Sequence, residues 1–85
     1  MARFLGESYL PAGSRDSLAA DAARLRAAAA QLERVELLRT VYVPEDEVCF
    51  YLFESESAEL VAEVSRSAEL EFDRVQPVVA LDEPA

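Results

Sequence analysis

The 85-residue chain has no histidine, no tryptophan, a single cysteine and only two glycines. Without an imidazole, neither a Ser-His-Asp triad nor a Cys-His pair can be assembled, and the commonest nitrogen ligand of zinc, nickel and copper is missing. The single thiol, Cys49, excludes an internal disulfide and favours a reducing, cytoplasmic location. Of the whole chain, 52% is hydrophobic, which is typical of a globular protein rather than a disordered or fibrous one.

Positive charge is also scarce, because lysine is absent and 8 arginines stand against 17 acidic residues. A net charge of −9 repels phosphate backbones, so we expect no nucleic-acid partner. No apolar run approaches the roughly 18 residues that a membrane span needs, and the N-terminus lacks the apolar segment of a signal peptide. The length fits one domain, which we place at 1–81, followed by a flexible acidic tail at 82–85.

Hydrophobic periodicity predicts four strands and two helices in the order βαββαβ. The strands are predicted at 3–10, 35–43, 48–54 and 74–81, and Pro77 puts the last one at a sheet edge or a bulge. The first helix is capped by Ser14 or Asp16 and runs to about Leu32, with Asp21 and Arg24 on its solvent side; the second is capped by Ser55 or Ser57. This order is the ferredoxin-like α+β plan, one antiparallel sheet with both helices on one face.

The turn at 44–47 fixes the register of the central hairpin if Pro44 faces Glu47. Tyr42 then lies opposite Cys49, Leu38 opposite Phe53 and Arg39 opposite Leu52. One side of the hairpin carries Val35, Leu37, Val41, Val43, Val48, Phe50 and Leu52, and the other carries Leu38, Thr40, Tyr42, Cys49, Tyr51 and Phe53. Two helices cover only one of these apolar sides, and soluble monomers rarely leave the other in water. We therefore expect a homodimer in which two sheets pack face to face in a barrel-like assembly.

Several motifs point to a known family. They are Glu7 in the first strand, Arg39 in the second, an acidic turn followed by Cys-Phe-Tyr-Leu-Phe-Glu at 49–54, Ser-Ala-Glu at 57–59 and Phe-Asp-Arg-Val at 72–75. Over nearly its whole length the chain resembles a bacterial family of small ferredoxin-like domains of unknown function, one type of which is a nickel-binding protein. The resemblance implies a dimeric α+β fold and binding of a metal or a small ligand. Because this chain has no histidine for nickel, we predict no cofactor and assign no metal site.

Four charged residues lie inside predicted strands, where charges are uncommon: Arg39, Glu54, Glu7 and Arg74. As a binding cluster, an arginine would hold an anionic or carbonyl group and a carboxylate would act as a base. Glu7 and Glu54 would form a carboxylate pair if the first and third strands are neighbours. The alternative is a set of structural ion pairs at strand ends or at the dimer rim.

Tyr42, Tyr51 and Cys49 share one face of the hairpin and form a second candidate site. They would line a pocket for a flat apolar ligand, with the two hydroxyls orienting it. The alternative is that all three are packing residues of the core. No histidine or lysine is near Cys49 in the sequence to lower its pKa, which argues against a nucleophilic role.

Three functions are compatible with these residues. The first is a homodimeric binding protein for a small ligand or a metal ion. The second is a cofactor-free enzyme of the isomerase, cyclase or monooxygenase type with a pocket lined by Arg, Glu and Tyr. The third is an acidic module that docks on a larger protein partner.

Overall fold

The computed structural model describes residues 1–11 and 16–81, and within them the predicted βαββαβ order is confirmed. The predicted acidic tail at 82–85 and the predicted cap Ser14 lie outside the described residues. The elements are β1 (Ala2–Tyr9), α1 (Leu18–Ala30), β2 (Val35–Val43), β3 (Val48–Ser55), α2 (Ala58–Ser67) and β4 (Arg74–Val78).

The four strands form one antiparallel sheet in the order β2-β3-β1-β4, and both helices pack on the same face of it. The architecture is therefore the ferredoxin-like α+β fold that the sequence predicts. Pro77 lies in the edge strand β4, as expected for a residue with no amide donor for a central ladder. β4 ends at Val78, three residues earlier than predicted. Among the described residues, no helix is long and apolar enough to cross a membrane.

The hairpin of β2 and β3 has the predicted register near its turn and a different one further away. Tyr42 pairs with Cys49 and Arg39 pairs with Leu52, as predicted. The predicted pairing of Leu38 with Phe53 is wrong, because Leu37 occupies that position and the register shifts between Leu37 and Arg39. Leu38 is the extra residue of a β-bulge, and one extra residue reverses the faces of everything before it.

The bulge decides which side chains enter the core. Val35 and Leu37 were predicted on the face of Phe50 and Leu52, but they share the helix-covered face with Phe53 and are buried. We call this helix-covered side the inner face; it carries Phe4, Gly6, Val35, Leu37, Thr40, Tyr42, Cys49, Tyr51, Phe53, Ser55 and Val75. The outer face carries Arg3, Leu5, Glu7, Glu36, Leu38, Arg39, Val41, Val43, Val48, Phe50, Leu52, Glu54, Arg74, Gln76 and Val78.

The two helices begin differently. Ser57 caps α2 as predicted, since its hydroxyl oxygen accepts a hydrogen bond of 3.3 Å from the Leu60 amide. The predicted cap Asp16 is wrong for α1, where the N-cap is Ser17 and the Ser17 side chain makes no capping hydrogen bond. The Ser17 hydroxyl instead donates to the Asp21 carboxylate at 3.1 Å.

One glycine is required by close packing. An added Cβ at Gly6 would lie 3.0 Å from the ring of Phe72, which also stacks near Tyr51 and Phe53 with ring centroids 5.4 and 5.9 Å apart. Alanine in a strand normally gains about 0.5–1 kcal/mol over glycine, but overpacking a core costs about 1–3 kcal/mol.

We therefore expect Gly6→Ala to lower the free energy of unfolding by about 1 kcal/mol in urea denaturation. Combining it with Phe72→Leu removes the contact, so the double variant should lose less stability than the sum of the two single variants. A Gly6→Ala protein more stable than the parent would show that this contact does not constrain the strand.

Candidate functional site

The sheet separates the seven predicted site residues into two groups. Arg39, Glu54, Glu7 and Arg74 lie on the outer face, whereas Tyr42, Tyr51 and Cys49 lie on the inner face. The groups are on opposite sides of the sheet, so they cannot act on one ligand.

On the outer face, Glu54 is held by an arginine that sequence reasoning missed. Nη1 of Arg3 lies 2.7 Å from Oε2 of Glu54, and the two side chains are only 20% and 29% exposed. The pair follows from the register, in which Arg3 of β1 lies opposite Glu54 of β3. No turn joins these two strands, so the sequence alone gave no signal for this pairing.

Arg39 lies diagonal to Glu54 as predicted, because its direct partner on β3 is Leu52. Across residues 1–11 and 16–81, no carboxylate lies within ion-pair distance of its guanidinium. The five donors of this group are thus open to a ligand, in a chain whose acids outnumber its arginines by two to one.

Arg39 lies beside a groove of about 700 Å³ on the outer face. The sheet contributes two leucines and two arginines to it, and the segment after β4 closes its far side: Arg3, Leu38, Arg39, Leu52, Val79, Ala80 and Leu81. A guanidinium above leucines suits a small organic anion, whose charged end binds the donors while its apolar part lies on the leucines.

Glu7 and Arg74 form a separate polar cluster on the β1–β4 side of the outer face. Nε2 of Gln76 donates to Oε2 of Glu7 at 2.8 Å, Nη2 of Arg74 donates to Oε1 of Gln76 at 2.8 Å, and Nε of Arg74 lies 3.8 Å from Glu7. Glu7 is four residues from Arg3 along β1, roughly 13 Å, so it cannot pair with Glu54 even though their strands are neighbours. The predicted Glu7–Glu54 carboxylate pair is wrong for this reason.

The inner-face group lies in or against the hydrophobic core. Tyr51 is 1% exposed and Cys49 is fully buried, while the Tyr42 hydroxyl donates to the carbonyl of Leu10 at 3.0 Å. Burial raises the pKa of the Cys49 thiol, and the nearby negative charge of Asp21 adds to the rise, although a hydrogen bond from the Tyr51 hydroxyl opposes it. Burial likewise raises the pKa of Tyr51, and donation to Cys49 raises it further. Both groups are therefore neutral and unreactive at pH 7.

The structure also buries an acid that the sequence pattern assigns to solvent. Asp21 was predicted on the solvent side of α1, but it is only 8% exposed and is a neighbour of the Cys49–Tyr51 pair. Its carboxylate accepts from Ser17, and Nη2 of Arg24 lies 3.4 Å away. The hydroxyl oxygen of Thr40 is also buried, and it has no hydrogen-bond partner among the described residues.

Metal-ligating side chains do not converge in the part of the chain that the structure describes. No group of three or more Cys, Asp or Glu residues there is arranged to hold a metal ion. The Glu7 and Glu54 carboxylates, each held by an arginine, lie in different clusters.

No family model matches the chain, and no curated protein matches it in sequence. Among solved structures, it is similar to the protein of a "crystal structure analysis of SCO4226 from Streptomyces coelicolor A3(2)", with a TM-score of 0.80 and 23% identity over 91% of this chain and 95% of that one. A similarity at this identity shows the fold alone. Membership of the small ferredoxin-like family therefore stays a prediction.

Because the Cys49 thiol and the Tyr51 hydroxyl are buried, we expect the fold to become less stable at alkaline pH. Both groups lose their proton more readily in the unfolded chain, near pH 9.0 and 10.0, than in the folded one. Their contribution to the free energy of unfolding is complete below pH 9. It is lost as the pH rises above 9, because the unfolded state then releases protons that the folded state retains.

We expect the free energy of unfolding to fall steadily between pH 9 and 11, and Tyr51→Phe to flatten this fall. Tyr9→Phe, a change at an exposed tyrosine, is the control and should leave the profile unaltered. An identical slope in the parent and in Tyr51→Phe would contradict the assignment.

Proposed function

We propose that this protein is a homodimer, joined through the outer faces of two sheets, that binds a small organic anion in the groove beside Arg39. The observation that carries the proposal is the character of the outer face, which combines eight apolar side chains with charges that balance. The apolar members are Leu5, Leu38, Val41, Val43, Val48, Phe50, Leu52 and Val78. Both helices lie on the other side of the sheet, so they cannot cover these residues.

The charges of the outer face support a second copy as the partner. Three arginines (Arg3, Arg39, Arg74) stand against three glutamates (Glu7, Glu36, Glu54), so the face has no net charge. The entire net charge of −9 therefore belongs to the rest of the chain. The excess negative charge disfavours contact through most of the remaining surface, whereas this face lets two copies approach and bury apolar area.

The dimer would also complete the ligand site. In one chain the Arg39 groove is open to water, where a single guanidinium holds an anion weakly. A second sheet over the groove would exclude water and strengthen the contact between Arg39 and the anion. The Arg3–Glu54 pair beside it supplies a fixed polar wall rather than a competing free carboxylate.

Glutamate substitutions on adjacent residues of β3 separate the interface from the core. Phe50→Glu places a charge on the outer face, so we expect a folded monomer whose circular dichroism is unchanged. Tyr51→Glu buries an unpaired charge against the helices, and we expect a loss of about 3 kcal/mol or more of stability.

The measurement is sedimentation equilibrium at micromolar concentration, with thermal denaturation of the same samples. The parent chain should sediment at about twice its mass of 9.4 kDa. A parent that sediments as a clean monomer, or a Phe50→Glu variant that remains dimeric, would remove the basis of the proposal.

The ligand site is tested with 1-anilinonaphthalene-8-sulfonate, an amphipathic organic anion whose fluorescence rises on binding. We expect Arg39→Leu to weaken its binding at least about tenfold with little change in Tm, because Arg39 has no carboxylate partner among the described residues. Arg66→Leu is the matched control, since it removes the same charge from α2 on the other side of the sheet.

Glu54→Gln should behave in the opposite way. It breaks the ion pair with Arg3, so we expect a stability loss of about 0.5–1 kcal/mol with dye binding retained. If Arg39→Leu lowers Tm and leaves dye binding unchanged, Arg39 is a structural residue and the groove is not the site.

A further inference from the structure

The residues that follow β4 carry two apolar side chains that are almost fully exposed. Val79 is 81% exposed and Leu81 is 88% exposed. We call 79–81 the C-terminal arm. Single exposed leucines are common on protein surfaces, but here two lie in one short segment that borders an apolar face.

The arm does not prolong β4 beyond Val78. β4 and β2 are the two opposite edges of the sheet, yet the arm lines a groove with Leu38 and Arg39 of β2 and with Leu52 of β3. The chain therefore turns across the outer face after β4. Val79 and Leu81 are nearly fully exposed although the arm lies beside this face, so most of their apolar surface is free to contact a second molecule.

We propose that Val79 and Leu81 of each copy pack against the outer face of the other copy, so that the arm is the clasp of the dimer. This inference rests on the proposed dimer and names the segment that closes it. In a two-fold interface the same patch is used twice, so apolar side chains exposed beside one sheet meet the sheet of the partner. The surface that receives it includes Val41, which is 47% exposed.

The chemistry of the arm favours a second copy over other partners. Its side chains are apolar, and it borders the one sheet face whose charges cancel, while the rest of the chain has a net charge of −9. An anionic lipid surface would attract neither the neutral face nor the acidic remainder. A second copy offers an apolar and neutral surface of matching extent.

The arm also makes the ligand site a property of two chains. It forms one wall of the Arg39 groove in its own chain. Once its exposed side is packed against the second sheet, the wall is fixed from both sides. Weakening the clasp should therefore weaken both dimerisation and binding of the anionic dye.

The test compares three full-length proteins by sedimentation equilibrium: the parent, Val79→Ser/Leu81→Ser, and Val79→Leu/Leu81→Val. The serine variant removes apolar area that makes little contact within the monomer, so we expect unchanged circular dichroism and a dimer Kd raised about tenfold or more. The exchange variant preserves the apolar area and should keep Kd within about threefold of the parent. Ala19→Ser/Ala23→Ser, on the exposed side of α1, controls for added hydroxyl groups and should not change Kd.

Each outcome decides between the two proposals. If the parent is a dimer and the serine variant dimerises equally well, the clasp is wrong and the dimer stands. If the parent is a monomer, both proposals fail. If the serine variant does not fold, the single variant Leu81→Ser gives the same comparison, with an unchanged dimer Kd overturning the clasp.

Discussion

The β-bulge at Leu38 is the constraint on which the rest of this structure depends. Before it, Val35 and Leu37 point into the core; after it, Arg39 and Val41 point to the outer face. A regular strand would put either Val35 and Leu37, or Arg39 and Val41, on the wrong side of the sheet. One inserted residue thus lets the first part of β2 complete the core, while the second part places Arg39, which has no carboxylate partner among the described residues, on the outer face.

Local features of this fold could be predicted from the sequence, and long-range ones could not. The order of elements, the turn at 44–47 and the pairing of Arg39 with Leu52 follow from signals within a few residues of each other. The bulge and the pairing of Arg3 with Glu54 do not, because no local rule fixes how β1 aligns with β3 or where a strand gains a residue. The site residue Arg39 was found for the first reason, and its neighbour Arg3 was missed for the second.

The difference between local and long-range features also explains why the burial of Asp21 could not be predicted. Its place in the helical pattern predicts exposure, and only the packing of α1 over the sheet puts it among Tyr51, Cys49 and Ser17. A buried carboxylate needs donors, and it obtains them from Ser17, the N-cap of α1, and from Arg24 within the helix. The inner face is therefore not purely apolar. Its polar groups are buried in the core and do not line the groove on the other side of the sheet.

The position of the Arg39 groove links the two proposed properties, dimerisation and the binding of an organic anion. The outer face has no net charge, and the Arg39 groove lies on it, lined by residues of β1, β2, β3 and the segment after β4. A ligand bound at the seam of two sheets would contact both copies, so its binding free energy would be added to that of dimerisation. Conversely, the factor by which bound ligand strengthens dimerisation is also the factor by which dimerisation raises the affinity for the ligand, since linkage between two equilibria is reciprocal. The groove, which is open in one chain, would in this way become an enclosed site through self-association.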